Sequence, residues 1–109
     1  MKLVYINQPV SDLQAAVGFY RDVLGFEEAW REGEGTVSFH VPGRFAQVML
    51  VSDGLPPGPM YQVDDADGWV AAHPDVPVRV PRLAIPGGAV IGLEGPGGNL
   101  FYVFDQPAA

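Results

Sequence analysis

The sequence predicts an α+β chain made of two tandem units, each running strand, helix, then three strands, with the helix of the second unit shortened. Three observations carry this. Val10-Ser11-Asp12-Leu13-Gln14-Ala15-Ala16-Val17 lines up with Val63-Asp64-Asp65-Ala66-Asp67-Gly68-Trp69-Val70, an offset of 53 residues. The same offset lays Gln47-Val48-Met49-Leu50-Val51 on Leu100-Phe101-Tyr102-Val103-Phe104 without a gap. Self-similarity at this period marks duplicated supersecondary units. The 14 glycines and 11 prolines also fall between apolar runs rather than in one block, so they punctuate many short elements.

Residues 2–8 are largely β-branched or aromatic and read as a strand. Ser11-Asp12-Leu13-Gln14 forms a capping box, with the Ser11 hydroxyl accepting from a helix-start N–H and Gln14 reaching back. Leu13, Ala16, Val17, Tyr20, Val23 and Leu24 then recur at helical spacing on one face, and Gly25 is the left-handed terminator, giving a helix over 12–24. Residues 26–31 form a second strand, turned at Gly33-Glu34-Gly35. Thr36 to Val41 alternates as a third, Pro42-Gly43-Arg44 turns the chain, and Ala46 to Val51 is the fourth. Residues 1–52 thus make module one, 53–59 a linker, and 60–106 module two. In module two Met60–Val63 is a strand and Ala66–Ala72 a short helix ended by His73-Pro74. Pro77, Pro81 and Pro86 confine the next segment to an edge or irregular strand, since proline cannot donate to a central ladder. Ala89–Leu93 and Asn99–Phe104 are strands joined by the tight turn Gly95-Pro96-Gly97-Gly98.

The chain carries 13 acidic against 6 basic residues, a net charge of −7, and no basic run. A nucleic-acid partner is excluded on that balance, because binding to a phosphate backbone is driven by counterion release to clustered lysine and arginine. With no cysteine there is no disulfide, thiolate nucleophile or iron–sulfur ligand. No stretch approaches the ~20 apolar residues that cross a bilayer. Met1 to Tyr5 begins directly as a strand without a signal-peptide pattern, so the expectation is a soluble cytoplasmic protein that engages no membrane.

Val10-Ser11-Asp12-Leu13, the run FYRDVLGF from Phe19 to Phe26, and Gly95-Pro96-Gly97-Gly98-Asn99 before the last strand together resemble the vicinal oxygen chelate superfamily. That group includes glyoxalase I, extradiol dioxygenases, fosfomycin-resistance enzymes and bleomycin-resistance proteins. The resemblance implies paired βαβββ modules forming a curved, mostly antiparallel sheet with helices outside and ligand in the concave face. It also implies a homodimer. Metal-dependent members hold a divalent ion with His and Glu side chains at four positions, which fall here on Tyr5, Met49, Gly58 and Tyr102. None is His, Asp or Glu. A phenol with a pKa near 10 is a poor ligand for such an ion, a thioether is too soft, and glycine offers nothing. The expected cofactor is therefore none.

Strand alternation then fixes the faces. If Tyr5, Met49 and Tyr102 point to the concave face, Asn7 and Gln47 do so too, while Val4, Ile6, Val48, Leu50, Phe101 and Val103 lie under the helices. Val37, Phe39 and Val41 belong under the helix, sending Ser38 and His40 to the cavity, and Gln62 shares the face of Gly58. The expected ligand-binding set is Tyr5, Asn7, Ser38, His40, Gln47, Met49, Gln62 and Tyr102, with aromatic walls and neutral hydrogen-bonding tips that suit a small, partly apolar molecule. Each has a plainer role as well: Tyr5 and Tyr102 as fillers, Met49 as packing, His40 as a half-buried histidine. Trp30 edges a pocket or a dimer contact, Trp69 packs on the core, and His73 closes a helix. Three functions are compatible with these residues. The first is metal-independent binding of a small molecule. The second is an enzyme using non-standard metal ligands around His40, or proton transfer by Tyr5, Tyr102 and His40. The third is a non-catalytic dimeric module with a vestigial cavity.

Overall fold

The computed structural model describes residues 1–52 and 54–106; Asp53, the first residue of the expected linker, lies outside them. The chain divides into two compact units, one spanning Val4–Pro57 and the other beginning at Gly58, with Met1–Leu3 grouped with the second. Both have the expected βαβββ order. Among the described residues no helix is long and apolar enough to cross a membrane.

In the first unit the elements are β1 (Lys2–Pro9), α1 (Leu13–Gly18), β2 (Glu27–Glu32), β3 (Thr36–His40) and β4 (Gln47–Val51). The strands run in the order β2-β3-β4-β1, antiparallel except for the parallel pair β1 and β4. Val17 on α1 packs with Val37, Phe39, Val48 and Leu50, and Leu13, Ala16, Tyr20, Phe26 and Val41 close around them. The alternating residues assigned to the helix side therefore do form the core.

Two expectations for the first helix are corrected. Its cap is Asp12, not Ser11: Asp12 is extended (φ −131°, ψ 97°), its Oδ1 accepts from the Ala15 N–H at 3.0 Å, and its carbonyl accepts from Ala16 N. Gln14 is then only the second helical residue, one short of the position from which a side chain reaches back to the cap. The helix also does not run regularly to Leu24. Phe19–Val23 is a π-helical turn in which Leu24 N donates to Phe19 O at 3.0 Å. The extra residue rotates the positions after it by about 100°. Val23 and Leu24 are exposed as a result, although they fit the apolar stripe of a uniform helix. Gly25 terminates the segment in the left-handed region as expected (φ 72°).

The second unit contains β5 (Gly58–Gln62), α2 (Ala66–Ala72), β6 (Val78–Ile85), β7 (Gly88–Glu94) and β8 (Leu100–Asp105), ordered β5-β8-β7-β6. β5 pairs parallel with β8, and the other pairings are antiparallel. It opens at Gly58, two residues before the expected Met60, because Gly58 and Pro59 extend the parallel strand. The proline-bearing β6 is the outer strand and carries two register shifts, as an edge strand with Pro81 must. Ala66, Ile91, Leu93 and Val103 form the core under α2, joined by Trp69, Val70 and Phe101.

The duplication extends to individual hydrogen bonds. Val10 N donates to Val51 O at 2.8 Å and, 53 residues on, Val63 N donates to Phe104 O at 2.9 Å. Ala16 N to Asp12 O is repeated by Trp69 N to Asp65 O. Asn7 faces Met49 in the parallel ladder, and their counterparts Met60 and Tyr102 face each other in the second. The copies differ at the cap. The Asp65 side chain makes no capping bond, and the first N–H of α2, from Ala66, donates instead to Asp105 Oδ2 at 2.6 Å. The other oxygen of Asp105 accepts from Ala89 N at 2.9 Å, so one carboxylate ties α2, β7 and β8 together.

Candidate functional site

In the first unit Tyr5 pairs with Gln47, Asn7 with Met49, Ser38 with Met49 and His40 with Gln47. The five polar or aromatic residues and Met49 thus share the sheet face opposite the α1 core. Trp30 joins them, because the hairpin turn places it opposite Ser38.

The polar groups bond mainly to one another. Gln47 Oε1 accepts from Trp30 Nε1 at 2.9 Å and from Ser38 Oγ at 2.7 Å. Tyr5 meets Trp30 edge-on, ring centroids 6.0 Å apart and planes at 90°. Burial raises the Tyr5 phenol pKa above the ordinary tyrosine value, and a hydrogen bond from the Trp30 indole partly counters this. Asn7 is buried and differs from an open hydrogen-bonding tip: both bonds from its Nδ2, at 3.0 Å, go to the carbonyls of Leu55 and Pro56, so it pins the connecting segment. Ser38 is fully buried and spends its hydroxyl on Gln47. Tyr5, His40, Gln47 and Met49 remain half-buried.

In the second unit Met60 pairs with Tyr102, Gln62 with Phe104, and Gly92 with Tyr102, again on the face opposite the α2 core. Tyr102 is completely buried, and burial pushes its pKa up to about 12. Gln62 donates to Gln106 O at 3.0 Å. Trp69 stacks on His73, centroids 3.9 Å apart, while His73 Nδ1 lies 2.7 Å from Trp69 O, so this histidine serves the helix end.

The four positions that the family resemblance assigns to metal ligands do not carry side chains that fit a divalent ion. Tyr5 and Met49 in one unit and Gly58 and Tyr102 in the other lie on the expected strands and faces. Burial raises the pKa of both phenols, which favours the protonated form, a poor ligand. Among the described residues no group of three or more His, Cys, Asp or Glu side chains is placed to hold a metal.

The role of Trp30 as a hydrogen-bond donor was not expected from the sequence. The signal was present in the three-residue turn Gly33-Glu34-Gly35, from which counting back pairs Trp30 with Ser38. The bulge between Glu28 and Trp30 has no such mark.

The glyoxalase/bleomycin resistance protein/dioxygenase superfamily model matches residues 2–103, and the chain belongs to that superfamily. No curated protein matches. Among solved structures, methylmalonyl-CoA epimerase from Mycobacterium tuberculosis is similar at 20% identity, covering 98% of this chain and 89% of the other, with a TM-score of 0.71. A variant of the Streptomyces coelicolor methylmalonyl-CoA epimerase, in complex with 2-nitronate-propionyl-CoA, is similar at 21% identity, covering 99% and 96%, TM-score 0.72. A superfamily member from Vibrio splendidus 12B01 is similar at 19% identity, covering 97% and 98%, TM-score 0.68. These likenesses establish the shared fold.

Proposed function

We propose that this chain is a metal-independent member of its superfamily that binds a small, partly apolar, uncharged molecule on the sheet face away from the helices. The observation that supports the reading is that the positions which the family resemblance assigns to metal ligands carry Tyr5, Met49, Gly58 and Tyr102, and burial raises both phenol pKa values further from the anion. The first unit adds an aromatic edge from Tyr5 and Trp30, a soft filler in Met49, and polar tips on Gln47 and His40. The five arginines, Arg21, Arg31, Arg44, Arg79 and Arg82, each pair with a carboxylate at the exposed surface.

A thermal-shift screen against small aromatic metabolites and antibiotics tests this, since a ligand that binds only the native state raises the melting temperature. Several members of the screen should raise it, and chelator should leave it unchanged. A screen without a single shift would favour the vestigial module, while a stoichiometric transition metal in the purified protein would favour the enzyme. The family's homodimer belongs to the same proposal: Phe19, Val23 and Leu24 leave apolar surface exposed around the π-helical turn. Light scattering coupled to size exclusion should give twice the chain mass, and the mass of one chain would remove that part.

A further inference from the structure

The strongest unexplained arrangement in the molecule is the orientation of Gln47. An amide side chain has an acceptor end and a donor end, and which way it points is set by its neighbours. An indole N–H can only donate, so its 2.9 Å contact with the Gln47 head group must be to oxygen. The Ser38 hydroxyl, fully buried, adds a second bond to the same Oε1 at 2.7 Å. The donor-only indole thus sets the carbonyl end inward, the Ser38 hydroxyl turns to donate to the same oxygen, and the NH2 end is turned outward. Among the described residues Gln47 Nε2 has no hydrogen-bond partner, and no buried side-chain nitrogen or oxygen is left unsatisfied, so this NH2 stands at the accessible surface. Around it are the Tyr5–Trp30 aromatic edge and the half-buried thioether of Met49 on the same face.

We infer that the Gln47 carboxamide is a preset hydrogen-bond donor that selects an uncharged, planar ligand carrying a carbonyl oxygen, with Trp30 and Ser38 as its positioning residues. A preoriented NH2 meets a carbonyl oxygen without losing side-chain rotational freedom on binding. A carboxylate is a poorer match, because the arginines are already committed to surface carboxylates and the chain carries a net charge of −7. The flat aromatic edge and the deformable methionine favour a ring over a branched aliphatic chain. The inference rests on the small-molecule reading above and adds to it the ligand class and the residue that discriminates.

The test uses two probes that differ by one carbonyl, oxindole and indole, titrated into the full chain by calorimetry and by 15N–1H NMR. Oxindole should bind about tenfold more tightly than indole, the worth of one well-made hydrogen bond. The Gln47 side-chain NH2 signals should move with oxindole and stay in place with indole, a readout that needs no variant to fold. Gln47→Glu keeps an oxygen for Trp30 and Ser38 but removes the NH2, and should erase the preference. Trp30→Phe should shift the free protein's Gln47 NH2 signals and shrink the preference. Equal affinity for the two probes, or a preference that survives Gln47→Glu, overturns the inference while leaving the small-molecule reading standing. If neither probe binds up to millimolar concentration while the thermal-shift screen yields other ligands, the inference falls and the small-molecule reading stands.

Discussion

Tyr102 is one of the four positions that the family resemblance assigns to metal ligands, and its surroundings are those of a packed phenol. Gly92 faces it across the β7–β8 ladder, and a Cβ built there would stand 2.6 Å from Val80 Cβ and 3.1 Å from Tyr102 Cε1. On the other side, a Cβ at Gly58 would stand 2.7 Å from Leu100 O. The ring fills space that Gly92 leaves open, and Gly58 is required by the close approach of the β8 backbone. Gly92→Ala should therefore destabilise the chain by about 1–3 kcal/mol in denaturant unfolding, as overpacking does; an unchanged midpoint would show that β6 gives way freely. The phenol also has an alkaline signature. Its pKa is about 12 in the native state and about 10 when unfolded. The unfolded chain releases its proton first, so the contribution is intact below pH about 10 and is lost as pH rises through about 12. Tyr102→Phe should flatten the fall in stability across that window relative to the parent chain, and parallel curves would contradict the assignment.

The helix starts show what a sequence pattern can and cannot resolve. Ser11 and Asp12 are both good caps, and only the backbone geometry decides that Asp12 is extended and accepts from Ala15. Asp12→Ala should cost about 1 kcal/mol, whereas Ser11→Ala should stay within about 0.5 kcal/mol. Denaturant melts of the two variants would reverse the assignment if Ser11 proved the costlier. The π-helical turn at Phe19–Val23 was illegible for a different reason. Its residues have the composition of an ordinary helix, and the apolar stripe continues through Val23 and Leu24 even though the inserted residue rotates them into solvent. Strand assignments fared better, because alternation of period two distinguishes the two faces at every step: Val37, Phe39, Val48 and Leu50 reached the core as their spacing required. The site residues were legible as a face, but the bonds among them were not, since Trp30 and Gln47 are 17 residues apart and meet only through pairing.

The duplication was readable from the sequence because both copies kept their spacing of 53 residues through the parallel ladder, even where the residue types diverged; the antiparallel ladder shifts by one residue, Ser38 facing Met49 in one copy and Gly92 facing Tyr102 in the other. The chemistry is the part that diverged. The positions that the family resemblance assigns to metal ligands are Tyr5 and Met49 in one copy, and Gly58 and Tyr102 in the other. Elemental analysis of protein purified without chelator should find no stoichiometric divalent metal, and added zinc or manganese should leave the melting temperature within a degree or so; a metal-dependent rise would show donors beyond these four. The two copies must also become ordered differently during synthesis. The first helix carries its own cap at Asp12. The second, only 7 residues long and marginal by itself, takes its first N–H acceptor from Asp105. A ribosome that has released the chain through Ala72 has therefore made this helix without the carboxylate that anchors it, and the anchor emerges only with the last strand.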